Sequence, residues 1–180
     1  MILCENKGTS LNAPISMFNT CNLNCRFCYE NKKHNAIFLT KERFTAVRED
    51  VKREIVPLVK EHCYNTVLFK FFGGEVFFDA QPDWIYDEYI SLLNDIRQMF
   101  DIKVCTKFIT NGVFTKYDRA DRVLDATGSV VGMSYDPVGR YRKEEQRELF
   151  KKTAAHFYET GKLKEIATLL TKPAIHAIIE

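Results

Sequence analysis

The stretch TVLFKFFGGE at residues 66–75 carries the pattern that decides the fold class. Its first seven residues are rich in aromatic and β-branched side chains, which is typical of a buried strand, and the two glycines end that strand. Further short runs of strand-forming residues lie at 15–18, 104–110, 130–134 and 166–171. The chain is thus predicted to contain five strands.

Stretches of helical periodicity separate these runs. Apolar residues recur at steps of three or four over 44–58 and 85–99, and shorter stretches of the same kind cover 117–124 and 149–157. Pro57 is expected to kink or shorten the first of these helices. Strands that alternate with helices predict a parallel sheet with crossover helices. The fold class is therefore α/β, with about five βα units, and periodicity leaves open whether they form a partial barrel or a doubly wound sheet.

Length and composition exclude several classes of function. A chain of 180 residues can form one domain with a substantial core. The 26 basic and 24 acidic residues leave a formal charge of +2, which provides no basic field for nucleic acid. The chain has no signal pattern at its start and no run of about 18 apolar residues. We expect a cytoplasmic protein with neither a membrane nor a nucleic-acid partner.

Three of the six cysteines form a cluster directly after the first predicted strand. Cys21, Cys25 and Cys28 have the spacing CxxxCxxC, and clustered cysteines in a reducing cytoplasm are typical metal or redox ligands. Structural zinc takes four protein ligands, whereas iron–sulfur clusters take thiolates from compact loops. Three thiolates on one loop favour a cluster with one iron left open for a substrate or cofactor. The alternative is a zinc site completed by His34 or Cys63.

Polar groups follow the other predicted strands. Gly73, Gly74 and Glu75 close the second strand; the glycines allow a ligand to approach the backbone, and the carboxylate can accept hydrogen bonds from an ammonium group. Asn111 follows the third strand and Ser134 ends the fourth. Because parallel strands end at one edge of a sheet, we expect these residues to meet.

The segment after the fourth strand offers weaker candidates. Asp136 precedes a proline and is explained equally well as the start of a turn. Arg140 is interpreted as a solvated side chain.

The pattern CxxxCx-aromatic-C, in which Phe27 is the aromatic residue, resembles the signature of the radical S-adenosylmethionine (SAM) enzymes. The run Phe-Phe-Gly-Gly-Glu resembles the GGE motif of the same family. The resemblance implies a partial (β/α) barrel with a parallel sheet and a core over about 13–172. It also implies that Cys21, Cys25 and Cys28 hold a [4Fe–4S] cluster whose fourth iron is chelated by SAM.

The same resemblance assigns the SAM-binding residues. It implies that Phe27 lies near the adenine and contacts it largely through its backbone. The GGE motif is assigned to the binding of the amino group of SAM. One further residue at the end of the third strand and one at the end of the fourth strand are each assigned a contact with SAM. These residues are Gly73, Gly74, Glu75, Asn111 and Ser134.

The implied activity is that of an oxygen-sensitive oxidoreductase. An external one-electron reductant of the flavodoxin or ferredoxin type reduces the cluster, SAM is cleaved, and a 5′-deoxyadenosyl radical abstracts hydrogen from the substrate. The GGE run and the later Ser-x-Asp resemble the branch that modifies peptides and proteins, including sulfatase maturases, and so imply a peptide or protein substrate. The single domain of residues 1–180 is expected to lack the sixth βα unit and the C-terminal auxiliary-cluster domain of that branch.

Two other classes of function stay open beside this one. The chain is alternatively a non-catalytic iron–sulfur or SAM-binding module, or a partner subunit of a larger complex. The second alternative is a structural zinc protein.

Overall fold

The computed structural model describes residues 9–28, 36–136 and 138–168. The strands in these residues are β1 (Ser10–Ser16), β2 (Thr66–Phe72), β3 (Lys103–Thr110), β4 (Val130–Tyr135) and β5 (Leu163–Thr168). The helices are α1 (Lys41–Asp50), α2 (Val56–Glu61), α3 (Trp84–Gln98), α4 (Tyr117–Thr127) and α5 (Glu144–Glu159). A π-helical turn over Val51–Ile55 joins α1 to α2.

All five strands are parallel, and each pairs with its neighbour in chain order. A doubly wound sheet would reverse its strand order part-way, whereas a strictly sequential order with helical crossovers is the order of a (β/α) barrel. The predicted α/β class is therefore confirmed, and the form is that of a partial barrel. The carboxyl ends of all five strands lie at one edge.

The core lies on one face of the sheet. In β2, Val67, Phe69 and Phe71 are fully buried, while the residues between them are half-buried. The ring of Tyr89 in α3 contacts Phe71 and Phe108, with ring centroids 5.8 and 5.3 Å apart. Each of these buried side chains contributes on the order of 2–3 kcal/mol of transfer free energy. A slip of one residue would expose the whole row, so this burial sets the strand register.

The first and last strands begin earlier than the sequence predicted. β1 starts at Ser10 rather than at residue 15, because an edge strand in the described part of the sheet tolerates Asn12 and Pro14. β5 starts at Leu163 rather than at residue 166, and residues 169–171 of the predicted strand lie outside the described residues.

The first predicted helix is not shortened by Pro57. It continues through the π-helical turn into α2, where Pro57 lies in the first turn. Proline has no N–H to donate and its ring crowds the preceding turn, and the wider π-helical turn before it accommodates both effects.

None of the described helices is long and apolar enough to cross a membrane. The extent of the domain and the absence of a sixth βα unit stay predictions.

Candidate functional site

A cavity opens at the carboxyl ends of the strands, where the cysteine loop meets the ends of β2, β3 and β4. Eight of the nine predicted site residues line this cavity. They are Cys21, Cys25, Phe27, Cys28, Gly73, Gly74, Asn111 and Ser134. The ninth, Glu75, is fully buried beside it. The structure thus brings together residues that are up to 113 positions apart in the sequence, counted from Cys21 to Ser134.

The cysteine loop is fixed to the turn that follows β2. The N–H of Gly74 donates to the carbonyl of Phe18 at 3.0 Å, and the N–H of Glu75 donates to the carbonyl of Thr20 at 2.9 Å. Leu23 anchors the middle of the loop, because its side chain is buried in the core. The backbone that carries the three thiols is therefore held on both sides of Cys21.

The three thiols are half-buried and form no disulfide. The sulfur of Cys21 accepts a hydrogen bond from the N–H of Leu23 at 3.4 Å. Among the described residues, no three His, Cys, Asp or Glu side chains are grouped closely enough to hold one metal ion. All three thiols line the same cavity, and thiolates are the ligands that iron–sulfur clusters take.

The structure does not support Cys63 as the fourth ligand of a zinc ion. Cys63 precedes the start of β2, whereas the cavity lies beyond its end. Seven residues of parallel strand span roughly 20 Å, which separates Cys63 from the other thiols. His34 lies outside the described residues.

The carboxylate of Glu75 joins the turn after β2 to the end of β3. It accepts hydrogen bonds from the hydroxyl of Thr110 and the N–H of Asn111, both at 2.6 Å, and from the N–H of Phe77 at 3.1 Å. Burial raises the pKa of Glu75; these donors and the charge of Arg140 oppose that effect without cancelling it. Since the carboxylate does not line the cavity, its assignment to the amino group of SAM stays a prediction.

The side chain of Asn111 faces the cysteine loop. Its Nδ2 lies 3.5 Å from the sulfur of Cys21 and 2.9 Å from Oδ1 of Asn22. Its Oδ1 accepts a hydrogen bond from the N–H of Val113 at 2.8 Å. Asn22 also donates to the carbonyl of Val113, so the loop and the end of β3 are joined by a closed network.

The segment after β4 contacts the cysteine loop from the other side. The N–H of Arg26 donates to the carbonyl of Gly139 at 3.2 Å, and the guanidinium carbon of Arg140 lies 5.3 Å from the ring centroid of Phe27. Buried Asp136 shapes this segment by accepting a hydrogen bond from the N–H of Gly139. The cysteine loop is therefore enclosed between two strand ends.

Sequence reasoning missed several residues of the site, and three of them are of interest for its chemistry and shape. Arg140, interpreted as solvated, is half-buried and lines the cavity, and its Nε is buried with no hydrogen-bond partner among the described residues. Thr110 holds Glu75, and the hydroxyl of Tyr141 lies 3.2 and 3.3 Å from the carbonyls of Asn111 and Ser134. All three lie at or soon after a strand end, and that position was the signal that could have identified them.

Comparisons with known proteins agree with this architecture. Two of the solved structures with a similar fold are Streptococcus suis SuiB bound to precursor peptide SuiA, and BtrN in complex with AdoMet and 2-DOIA. SuiB gives a TM-score of 0.51 and 19% identity over 94% of this chain and 36% of its own. BtrN gives a TM-score of 0.51 and 12% identity over 89% of this chain and 58% of its own. The chain thus spans about a third of the length of SuiB, and at these identities the likeness shows the fold alone.

No curated protein matched the chain. The family model described as the Radical SAM superfamily matches residues 15–162, which include the cysteine loop, three complete strands and all nine predicted site residues. The match covers most of the chain, and this protein belongs to the radical SAM superfamily.

Proposed function

We propose that this protein is an enzyme that cleaves SAM reductively at a [4Fe–4S] cluster and uses the 5′-deoxyadenosyl radical to abstract hydrogen from a substrate. The observation that carries the proposal is a single cavity at the strand ends, lined by three thiols together with Gly73, Gly74 and Ser134. Membership of the superfamily supports SAM and an iron–sulfur centre as the cofactors.

The cluster would be held by Cys21, Cys25 and Cys28. Thiolates are the ligands that iron–sulfur clusters take, and all three thiols line the same cavity without a competing disulfide. When bound, the cluster would supply the single electron that splits SAM, and an external reductant of the flavodoxin or ferredoxin type would restore that electron. The protein orients SAM and excludes water.

Arg140 and Ser134 provide a place for the carboxylate of SAM. Arg140 lines the cavity with one buried guanidinium nitrogen that has no partner among the described residues, and Ser134 lines the same cavity. A guanidinium binds a carboxylate with two parallel hydrogen bonds, which would satisfy that nitrogen. Gly73 and Gly74 offer backbone groups for the amino end, and Phe27 lies at the same cavity for the adenine.

A peptide or protein is the proposed substrate. Support comes from the GGE run, from the Ser-x-Asp at Ser134, and from the similarity of fold to SuiB, whose structure contains a precursor peptide.

Anaerobic reconstitution with iron and sulfide tests the cofactor assignment. We expect an iron–sulfur absorption band and, after reduction, a paramagnetic resonance signal that shifts when SAM is added. Cys28→Ser should lose this centre. Cys105→Ser is the matched control, because Cys105 is a half-buried free cysteine on β3 that does not line the cavity. A colourless protein with one zinc per chain would overturn the assignment.

Release of 5′-deoxyadenosine under a strong reductant separates an enzyme from a binding module. Arg140→Met should raise the Kd for SAM about tenfold or more without lowering the iron content, since a charge-assisted hydrogen bond contributes roughly 1.5–3 kcal/mol. Arg142→Met, which changes an exposed arginine two residues away, should leave the Kd unchanged. Tight binding of SAM without any release of 5′-deoxyadenosine would favour the non-catalytic module.

A further inference from the structure

We infer that Asn111 raises the reduction potential of the iron–sulfur centre by donating a hydrogen bond to the sulfur of Cys21. The inference rests on the proposed function, because it requires a cluster at the three cysteines. It assigns to Asn111 a role different from the SAM contact that the sequence predicted.

The hydrogen-bond partners of Asn111 carry the inference. A carboxamide has two N–H donors, and both of those on Nδ2 of Asn111 are directed within the protein, toward Cys21 and Asn22. Its Oδ1 already accepts one hydrogen bond from Val113, and the residue is only 5% exposed. Asn111 therefore has one acceptor position, and no donor, left for a ligand.

The orientation of this amide is determined by its surroundings. The N–H of Val113 needs an acceptor, and Oδ1 of Asn22 needs a donor, so the oxygen of Asn111 must face Val113 and the nitrogen must face Asn22. In the flipped orientation, the Nδ2 donors of Asn111 would face the N–H of Val113, and its Oδ1 would face the Oδ1 of Asn22. The nitrogen is thus held toward the sulfur of Cys21.

The backbone of Asn111 is fixed as well. Its N–H donates to the buried carboxylate of Glu75, and its carbonyl lies 3.2 Å from the hydroxyl of Tyr141. Contacts from the turn after β2 and from the segment after β4 therefore both position Asn111. This residue does not need to touch SAM to affect the centre.

A donor at a ligating sulfur has a defined electrostatic effect. It withdraws electron density from the thiolate and stabilises the reduced, more negative form of the cluster. Without the donor the reduced form is less favourable, and the reduction potential moves to a more negative value.

The test is a redox titration of the reconstituted protein, followed through the paramagnetic resonance signal of the reduced cluster. Asn111→Leu removes both donors at similar size, and Asn111→Ala removes them without adding bulk or charge. Both variants should shift the potential to a more negative value. Asn24→Ala, which changes an exposed asparagine of the same loop, should keep the wild-type potential.

Each outcome has a separate meaning. A wild-type potential in an Asn111 variant that holds its cluster would overturn the inference. A weaker affinity for SAM at an unchanged potential would do so as well, and would return Asn111 to the predicted SAM contact. If Asn111→Leu takes up no iron, Asn111→Ala decides the question. A wild-type protein that takes up no cluster would overturn the proposed function itself.

Discussion

Gly74 packs against the backbone of Thr20 with no space for a side chain. A β-carbon at this position would lie within 3.0 Å of three backbone atoms of Thr20. A real β-carbon essentially never comes this close to a non-bonded atom. Only glycine therefore allows the turn after β2 to support the base of the cysteine loop. Gly74, which the family resemblance assigns to SAM binding, therefore also has a steric role.

Replacing Gly74 with alanine should displace the cysteine loop. We expect Gly74→Ala to lose about 1–3 kcal/mol of unfolding free energy in urea, as overpacked sites do, and to take up less iron during reconstitution. Gly161→Ala is the control: Gly161 has a φ of +69° but nothing within 4 Å, so alanine there adds backbone strain without a clash. Equal iron uptake by the two variants would contradict the steric role of Gly74.

The raised pKa of Glu75 makes the stability of the apoprotein depend on pH. The ordinary value is 4.5, and in the folded chain burial keeps this carboxyl protonated to higher pH. The folded state therefore binds more protons than the unfolded state above pH 4.5, and stability falls as pH rises through the folded-state pKa. The excess of wild-type unfolding free energy over that of Glu75→Gln should be largest below pH 4.5 and should then decrease. Urea titrations across this range measure it, and a difference that grows with pH would show that the hydrogen bonds outweigh burial.

The contact between Gly139 and Phe27 should protect the cluster from oxygen. A β-carbon on Gly139 would lie 2.8 and 2.9 Å from two carbons of the Phe27 ring and would push the ring outward. We expect Gly139→Ala to lose its iron–sulfur absorption several times faster in air. Val138→Ala is the control, since that side chain is 49% exposed on the same segment. Identical bleaching rates would show that Phe27 does not shield the centre.

An ion pair across the sheet should stabilise the last strand. Nζ of Lys107 in β3 lies 2.7 Å from Oε1 of Glu165 in β5, and Gly132 in β4 leaves room between them. The lysine side chain is only 8% exposed, so removing its partner leaves a buried charge. Glu165→Gln should cost about 1–2 kcal/mol in urea, less than for a fully buried pair because Glu165 is half-exposed. Double substitution with Lys107→Met should recover most of this loss.

A surface pair provides the comparison for this experiment. Glu148 pairs with Lys151 at 2.7 Å, but both side chains are more than half exposed. Glu148→Gln should therefore leave the unfolding free energy unchanged. An equal loss in both variants would mean that burial of Lys107 does not matter.

The predicted fold was close to the observed one wherever a strand is buried. β2 was predicted over its whole length, because alternate residues must fill the core. β1 was predicted too short, since a strand at the edge of the described sheet carries Asn12 and Pro14, which look like loop residues. The local sequence pattern of a strand depends mainly on how many of its side chains are buried, and an edge strand buries few of them.

The sequence predicted which strand ends carry the residues of the candidate site, but it did not predict the contacts of their side chains. The rule that parallel strands end at one edge predicts that Asn111 and Ser134 lie close together, and both line the cavity. Which way a side chain points depends on partners far along the chain, so the inward carboxylate of Glu75 and the cavity position of Arg140 could not be predicted.

The hydrogen bonds between the cysteine loop and the end of β3 also determine when the site can form. They join residues 89 to 91 positions apart, and closing so long a loop is entropically costly until β1, β2 and β3 have paired. We therefore expect the loop that carries Cys21 to reach its final shape only after these three strands have paired. Cluster insertion is then expected to follow the folding of this part of the chain.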